Sequence, residues 1–241
     1  MGELKLGKHA LKTPAVCGAV MGKNIDEMRS AVSRAMKQGA DLIELRIDGL
    51  QDLEGWDKLL RKDLPFIFTN RSKREGGSFR GSEEKRTDII LDAIEQGVSC
   101  VDIELSTPEK LRNRVVSRAK KSGVSVLMSC HDFLTTPSVG KMAGFAKKMT
   151  GAGCDLAKVV TFSKSSMDSL RVLDFLVQVQ DEVAVPVIAF AMGDAGKITR
   201  IAAPLLGSPI TYASVGKPTA PGQLEVAETK RLLRKLMAGR R

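Results

Sequence analysis

Eight short apolar runs recur along the chain, and each is followed by a longer amphipathic stretch. Runs that are nearly continuous in Val, Ile and Leu are typical of strands buried on both faces. Eight such strands alternating with helical patterns within 241 residues predict an α/β fold, a parallel (β/α)8 TIM barrel forming one domain over residues 1–241. The runs are AVCGAV (15–20), DLIELRI (41–47), PFIFT (65–69), VSCVDIEL (98–105), VSVLMSC (124–130), CDLAKVVTF (154–162), VPVIAFAM (185–192) and SPITYA (208–213).

The stretches between the runs carry helix signals. Asn24 or Asp26 is a candidate cap for a helix that runs to Lys37, and Pro108 stands at a first helical position. An open, doubly wound sheet is the alternative to a closed barrel. However, no Gly-x-Gly-x-x-Gly follows the first run, so a dinucleotide-binding fold lacks its main signal.

Residues 1–12 precede the first apolar run. Leu4, Leu6 and Leu11 lie on either side of Gly7, a residue that readily forms a tight turn. This spacing predicts a short β-hairpin that closes the bottom of the barrel.

The chain is basic, with 38 Lys and Arg against 28 Asp and Glu and a formal net charge of +10. Such charge attracts nucleic acid, an acidic membrane surface or an anionic small molecule. Nucleic-acid platforms usually pair basic residues with exposed aromatic rings. Aromatic residues make up only 4% of this chain, and the basic residues are spread along it. We therefore expect a small-molecule substrate that is anionic and no nucleic-acid partner.

Several features that the sequence lacks bear on membrane association, secretion, metal binding and disulfide formation. No run of about 18 apolar residues is present, so we expect no membrane partner, and the N-terminal segment lacks the apolar stretch of a secretory signal. The four cysteines are not at metal-ligand spacing and there are only two histidines, so we expect no metal site. Cysteines inside apolar runs behave as small hydrophobes, which indicates a reducing, cytoplasmic location without disulfides.

Polar residues interrupt the apolar runs near their carboxyl ends, where barrels build their active sites. Glu44 and Arg46 are two positions apart and share one face of a strand, pointing toward the barrel mouth. An ion pair on an exposed edge strand is the alternative. Arg71 ends the third run and offers a planar fork for a carboxylate, unless it lies in a solvated loop.

Lys158 is the clearest functional signal, because it lies inside a run that should be buried. Burial disfavours the ammonium form, and a desolvated lysine near other cations is a nucleophile toward carbonyl groups. Arg46, Arg71 and Arg200 are candidate cationic neighbours. The alternative is a strand-end lysine whose ammonium reaches solvent.

His131 follows the fifth run directly and is a candidate general acid–base, or else a structural histidine. Met192 ends the seventh run, and Arg200 follows on the next helix. Thr219 and Gln223 lie around a Pro-Gly turn in the last loop, where they are either ligands or turn residues. Barrels often bind anions in these last two loops.

Taken in order, these residues lie in motifs that resemble the type I 3-dehydroquinate dehydratase family, and the set covers most of the chain. The motifs are ELRID (44–48), FTNRSKREGG (68–77), VDIEL (101–105), SCHDF (129–133), AKVVT (157–161), MGDAGKITR (192–200), GSPITYA (207–213) and TAPGQ (219–223). The resemblance implies a barrel that converts 3-dehydroquinate to 3-dehydroshikimate and water in aromatic amino-acid biosynthesis, with neither metal nor organic cofactor.

The resemblance also implies three catalytic roles. Lys158 matches the lysine that forms an imine with the substrate ketone. His131 matches the base that removes the C2 proton and then assists the loss of water. Glu44 matches the carboxylate that orients this histidine.

Seven further residues match substrate-binding positions, with the substrate carboxylate expected on Arg200. They are Arg46, Arg71, Glu75, Met192, Arg200, Thr219 and Gln223. The resemblance implies a homodimer as well. Thr199 and Thr219 stand where serine is common in the family, and Tyr212 stands where phenylalanine is usual, which adds a polar edge to the pocket wall.

Two other functions remain open from the sequence. A class I aldolase or transaldolase also carries a Schiff-base lysine on the sixth strand of a barrel, although its substrates usually carry phosphate. A basic barrel that binds nucleic acid without catalysis is the more remote alternative.

Overall fold

A short antiparallel hairpin precedes the barrel in the computed structural model, which describes residues 2–239. Its strands are β1 (Glu3–Leu6) and β2 (His9–Lys12), paired with Leu4 opposite Leu11. Leu4, Leu6 and Leu11 are buried in one cluster with the first residues of several barrel strands, including Ala15 and Leu42. The hairpin therefore closes the amino end of the barrel, as predicted.

Each of the eight apolar runs forms one parallel strand of the barrel wall. The strands are β3 (Ala15–Met21), β4 (Leu42–Arg46), β5 (Phe66–Thr69), β6 (Cys100–Glu104), β7 (Ser125–His131), β8 (Leu156–Phe162), β9 (Val187–Met192) and β10 (Ile210–Ser214). Neighbours in sequence are neighbours in the sheet, and β10 pairs with β3. The wall is nearly closed: at the remaining seam, the rings of Phe190 on β9 and Tyr212 on β10 lie 5.7 Å apart.

Seven α-helices cover the wall within residues 2–239. They are α1 (Ile25–Lys37), α2 (Glu83–Glu95), α3 (Glu109–Lys121), α4 (Val139–Gly151), α5 (Ser166–Val179), α6 (Thr199–Leu205) and α7 (Val226–Met237). The Asn24 side chain caps α1 by accepting from the backbone N–H of Glu27, as the sequence predicts. Helix α3 begins at Glu109, one residue later than predicted, so Pro108 is the N-cap residue rather than the first helical residue.

The expectation of a helix after every strand is wrong for the segment between β4 and β5. Two short 3-10 turns, Ile47–Gly49 and Trp56–Leu59, replace an α-helix there. Gly55 adopts a left-handed conformation, with φ of 76°, immediately before the second turn and interrupts helical geometry. The buried Trp56 ring packs 4.6 Å from that of Phe68 and covers this side of the wall.

The layer between strands and helices is an apolar core, and the barrel interior is filled by side chains rather than open. All four cysteines carry free thiols. Over residues 2–239, the structure contains no helix of the length and apolar character needed to cross a membrane. The charged side chains of the interior lie in the middle of their strands, as Glu44, Asp102 and Lys158 do, or at the carboxyl ends.

Candidate active site

A cavity opens at the carboxyl ends of the barrel strands. All ten site residues predicted from the sequence line it. They are Glu44, Arg46, Arg71, Glu75, His131, Lys158, Met192, Arg200, Thr219 and Gln223. Aromatic side chains that the sequence did not single out as ligands, Phe133 and Phe190, complete its wall.

Lys158 lies in the middle of β8 and is only 3% exposed, so its ammonium does not reach out to solvent. Its Nζ donates to Glu44 Oε1 at 3.4 Å and to Asp102 Oδ2 at 3.5 Å. The same atom lies 3.9 Å from the centre of the Tyr212 ring. The candidate cationic neighbours Arg46, Arg71 and Arg200 line the same cavity, but the groups in contact with the amine are two carboxylates and an aromatic face.

His131 ends β7, and its ring is held by Glu75. Glu75 Oε2 lies 2.9 Å from Nδ1 and also accepts the backbone N–H of His131 at 3.0 Å. Burial lowers the pKa of His131 well below its usual value, and the charges of Arg71 and Lys158 lower it further. A neutral ring that donates Nδ1–H to a carboxylate leaves Nε2 as a free acceptor. The implied pairing of Glu44 with His131 is thus wrong, since Glu75 occupies that place.

Glu75 ends a 3-10 turn, Lys73–Glu75, in the loop after β5, and it is buried. Its second oxygen, Oε1, accepts the hydroxyl of Ser106 at 2.5 Å. Burial raises the pKa of Glu75 to about 7; the Ser106 hydrogen bond and the charge of Arg71 act in the opposite direction. The carboxyl group that holds the histidine therefore titrates near neutral pH.

Arg71 is fully engaged by protein groups. Its guanidinium contacts Asp102 at 2.7 Å, Ser129 Oγ at 2.7 Å and Glu104 at 3.0 Å. Glu104 in turn pairs with the buried Arg86 at 2.5 Å. This ion network fixes Arg71 as part of the cavity wall, so its fork is not free to take a second carboxylate.

Arg46 and Arg200 differ in their pairing. Arg46 forms a two-pronged contact with Asp48, with both distances 2.9 Å. Arg200 has no carboxylate partner among residues 2–239: it donates to the backbone oxygens of Tyr212 and Pro221, and its guanidinium lies 4.6 Å from the centre of the Phe190 ring. Burial lowers the pKa of Arg200 to about 10, which still leaves it charged at neutral pH.

The last loop covers the cavity and is organised by Gln223. Its Oε1 accepts from the backbone N–H and hydroxyl of Thr219, at 2.8 and 3.2 Å, and from the N–H of Ala220 at 3.2 Å. Met192 is buried at the end of β9, where it is the register partner of Phe162 on β8. These contacts assign Gln223 a structural task in addition to any contact with a ligand.

Asp102 and Ser106 are the site residues that the sequence did not single out. Burial acts to raise the pKa of Asp102, but the charges of Arg71 and Lys158 outweigh it and hold the pKa below its usual value. The alternation of Asp102 and Glu104 in β6 repeats that of Glu44 and Arg46 in β4 and was a usable signal. Ser106 lies in a loop, and nothing in its local sequence distinguishes it.

The fold and this cavity define a (β/α)8-barrel enzyme whose polar site lies at the strand ends. Residues 2–239 contain no group of three or more His, Cys, Asp or Glu side chains placed to bind a metal ion. The family model for type I 3-dehydroquinase matches residues 16–239.

Individual relatives agree with this match. A 3-dehydroquinate dehydratase of Methanosarcina barkeri is 38% identical, with 97% of each chain covered. The crystal structure of 3-dehydroquinate dehydratase from Geobacillus kaustophilus is 27% identical, with a TM-score of 0.92 and coverage of 100% of this chain and 98% of the other. A type I 3-dehydroquinate dehydratase of Clostridium difficile, solved with covalently modified comenic acid, is 25% identical, with a TM-score of 0.91 and coverage of 98% of both chains.

The chain belongs to the type I 3-dehydroquinase family. Its enzyme class is hydro-lyase, that of the 3-dehydroquinate dehydratases of the shikimate pathway. The family assignment decides between the alternatives that the sequence left open, in favour of the dehydratase over the aldolase and the non-catalytic barrel.

Proposed function

We propose that the chain dehydrates 3-dehydroquinate to 3-dehydroshikimate through an imine on Lys158, with His131 moving the proton. The observation that carries this proposal is the burial of the Lys158 amine at the floor of the cavity that Arg200 and His131 also line. The covalently modified ligand in the Clostridium difficile relative supports covalent chemistry in such a site.

Arg200 binds the substrate carboxylate in this proposal. It is charged, buried and lacks a carboxylate partner within the described part of the chain, so an anion in the cavity would complete its pairing. A guanidinium that already donates to two backbone oxygens is also held in place before the substrate arrives. Arg46 and Arg71, which are paired with acids, contribute positive charge to the cavity wall rather than a vacant binding fork.

Lys158 supplies the electron sink. The Lys158 ammonium passes one proton to Glu44, and the free amine adds to the substrate ketone. The resulting carbinolamine hydroxyl takes this proton and leaves as water, which gives an iminium ion. Glu44 and Asp102, at 3.4 and 3.5 Å from Nζ, offset the positive charge of this ion as they offset that of the ammonium. The iminium draws electrons from C2 and acidifies its proton.

His131 then transfers the proton. Its neutral ring accepts the C2 proton, and the electron pair of the broken C–H bond forms an enamine. The enamine expels the neighbouring hydroxyl group, which leaves as water with the proton that His131 returns. Hydrolysis of the remaining iminium releases the product and restores Lys158. Side chains of this kind contribute about 10²–10⁴-fold as general acid–bases.

Turnover of 3-dehydroquinate, followed by the ultraviolet absorbance of the conjugated product, tests the activity. We expect absorbance to rise with the wild-type chain and not with Lys158→Ala. Conversion of a phosphorylated aldol substrate in place of 3-dehydroquinate would contradict the proposal.

A homodimer and a cytoplasmic location, both implied by the sequence reasoning, stay predictions. For the dimer, we expect analytical ultracentrifugation to give a molecular mass of about twice the 26.0 kDa of one chain. A sedimenting species of 26.0 kDa at assay concentrations would contradict it.

A further inference from the structure

The Glu75 carboxylate lies between two residues that donate hydrogen bonds to it, one residue to each oxygen. Oε2 receives both N–H groups of His131, and Oε1 receives the hydroxyl of Ser106. A buried carboxylate is costly unless its oxygens are hydrogen-bonded. Ser106 comes from the loop after β6 and His131 is the last residue of β7, so two neighbouring segments of the barrel rim fix one carboxylate.

We propose that Ser106 is a positioning residue for the reaction, whose hydroxyl holds Glu75 in the orientation that keeps the Nε2 atom of His131 available as the base. This inference rests on the proposed function, because it assigns a residue that acts through His131. Ser106 itself is exposed at the rim and does not line the cavity.

The neighbouring cation does not replace this donor. Arg71 is close enough to influence Glu75 electrostatically, but its guanidinium is already bound to Asp102, Glu104 and Ser129. Within residues 2–239, Ser106 is therefore the side chain that hydrogen-bonds Oε1. Without this hydroxyl, Oε1 loses its donor and the carboxylate gains freedom to turn away from the ring.

Charged groups on three barrel strands and their loops face this carboxyl group. Arg71 follows β5, Asp102 and Glu104 lie on β6, and His131 ends β7. The two acids favour the protonated form of Glu75, whereas Ser106 and Arg71 favour its carboxylate. Burial lowers the pKa of the imidazole, and the positive charges of Arg71, Lys158 and Arg46 that face the ring lower it further.

Loss of the Ser106 hydroxyl should therefore raise the pKa of Glu75 further. A protonated Glu75 cannot serve as a charged acceptor for Nδ1–H, so the acid limb of the kcat/KM profile should move to higher pH. A shift of about one unit, and about a tenfold loss of kcat on the acid side, correspond to one hydrogen bond to a charged group.

The test compares Ser106→Ala with Ser106→Thr and with Ser78→Ala. Ser78 is a matched control because it is also exposed, lies three residues beyond Glu75, and its hydroxyl bonds to no residue in 2–239. We expect the Ser106→Ala acid limb to shift upward with KM nearly unchanged, Ser106→Thr to restore the wild-type profile, and Ser78→Ala to match wild type.

A carboxyl carbon NMR titration of Glu75, assigned with Glu75→Gln, gives a second measurement that requires no turnover. Its midpoint should be higher in Ser106→Ala than in wild type. An unchanged midpoint and acid limb would overturn the proposal, and so would a raised KM at constant kcat, which would make the hydroxyl a substrate ligand. If the proposed function itself fails, wild type will not turn over 3-dehydroquinate, and the NMR midpoints still decide whether Ser106 governs Glu75.

Discussion

The Nδ1 atom of His131 lies 2.9 Å from Oε2 of Glu75, although 56 residues separate the two in sequence. This contact fixes the plane of the imidazole and selects the ring nitrogen that faces the cavity as the acceptor. The other carboxylate near the centre, Glu44, contacts Lys158 and the Thr69 hydroxyl instead. The two glutamates therefore serve different steps of the proposed reaction.

Substitution of each glutamate by glutamine should separate these steps. Glu75→Gln should lower kcat by roughly 10²-fold, because it weakens the base, yet still allow borohydride to trap substrate on the enzyme. Glu44→Gln should slow the trapping itself, because it removes one of the two carboxylates beside Nζ. The rate of borohydride trapping in a single turnover and the steady-state kcat, measured for each variant, check the two expectations. Equal trapping rates in the two variants would contradict this division of roles.

The raised pKa of Glu75 also has a consequence for stability. Its usual value is 4.5 and its folded value is about 7, so the folded chain retains a proton that the unfolded chain has lost between these pH values. The favourable contribution is complete below pH 4.5 and is lost as pH rises through about 7. Relative to wild type, Glu75→Gln should therefore gain stability over this interval, by up to roughly 3 kcal/mol.

Denaturant unfolding of both proteins at several pH values measures this difference. Because every other ionisable group is shared, subtraction of the two curves isolates Glu75. A stability difference that does not change with pH would show that folding does not raise the pKa of Glu75.

Arg200→Ala should weaken substrate binding more than it slows chemistry. The loss of a charge-assisted hydrogen bond predicts a rise in KM of roughly 10- to 100-fold. Lys197→Ala is a suitable control, because it removes one positive charge near the mouth from an exposed side chain paired with Asp194. Steady-state kinetics should show little change in KM for Lys197→Ala. Similar increases in both variants would mean that general electrostatic attraction, rather than Arg200, holds the carboxylate.

Tyr212→Phe should leave activity intact and should not destabilise the fold. The buried Tyr212 hydroxyl has no hydrogen-bond partner in residues 2–239, whereas the ring face that contacts Lys158 is kept by phenylalanine. Removing an unsatisfied buried polar group is worth about 1 kcal/mol, or an increase in Tm of roughly 2–4 °C. Calorimetry checks this expectation, and a lower Tm would reveal a hydrogen bond that the hydroxyl makes.

The barrel could be predicted because its strands are continuous in apolar residues and end in polar ones. Lys158 stood out for the same reason: a charge inside an apolar run has few structural explanations. Since parallel strands bring their carboxyl ends to one rim, residues scattered from Glu44 to Gln223 could be assigned to a single cavity. Glu75 joined this set only through the family resemblance.

The pairing of charges within the cavity could not be predicted. Glu44, Glu75 and Asp102 are all near the mouth, and which of them meets His131 depends on rotamers and loop geometry rather than on spacing. The loop position of Ser106 carries no periodic signal either. The absence of an α-helix between β4 and β5 has a local cause, the left-handed conformation of Gly55. A sequence pattern alone does not reveal this conformation.

Borohydride reduction with 3-dehydroquinate, followed by peptide mass mapping, tests the central role of Lys158 most directly. Wild type should carry the reduced adduct on Lys158. His131→Ala should carry it on the same residue, because imine formation does not need the imidazole, while its turnover falls by about 10²–10⁴-fold. Lys158→Ala should remain unlabelled and inactive. Adducts on Lys164 or Lys197 instead, or appreciable dehydration by Lys158→Ala, would contradict the imine mechanism even with the fold correct.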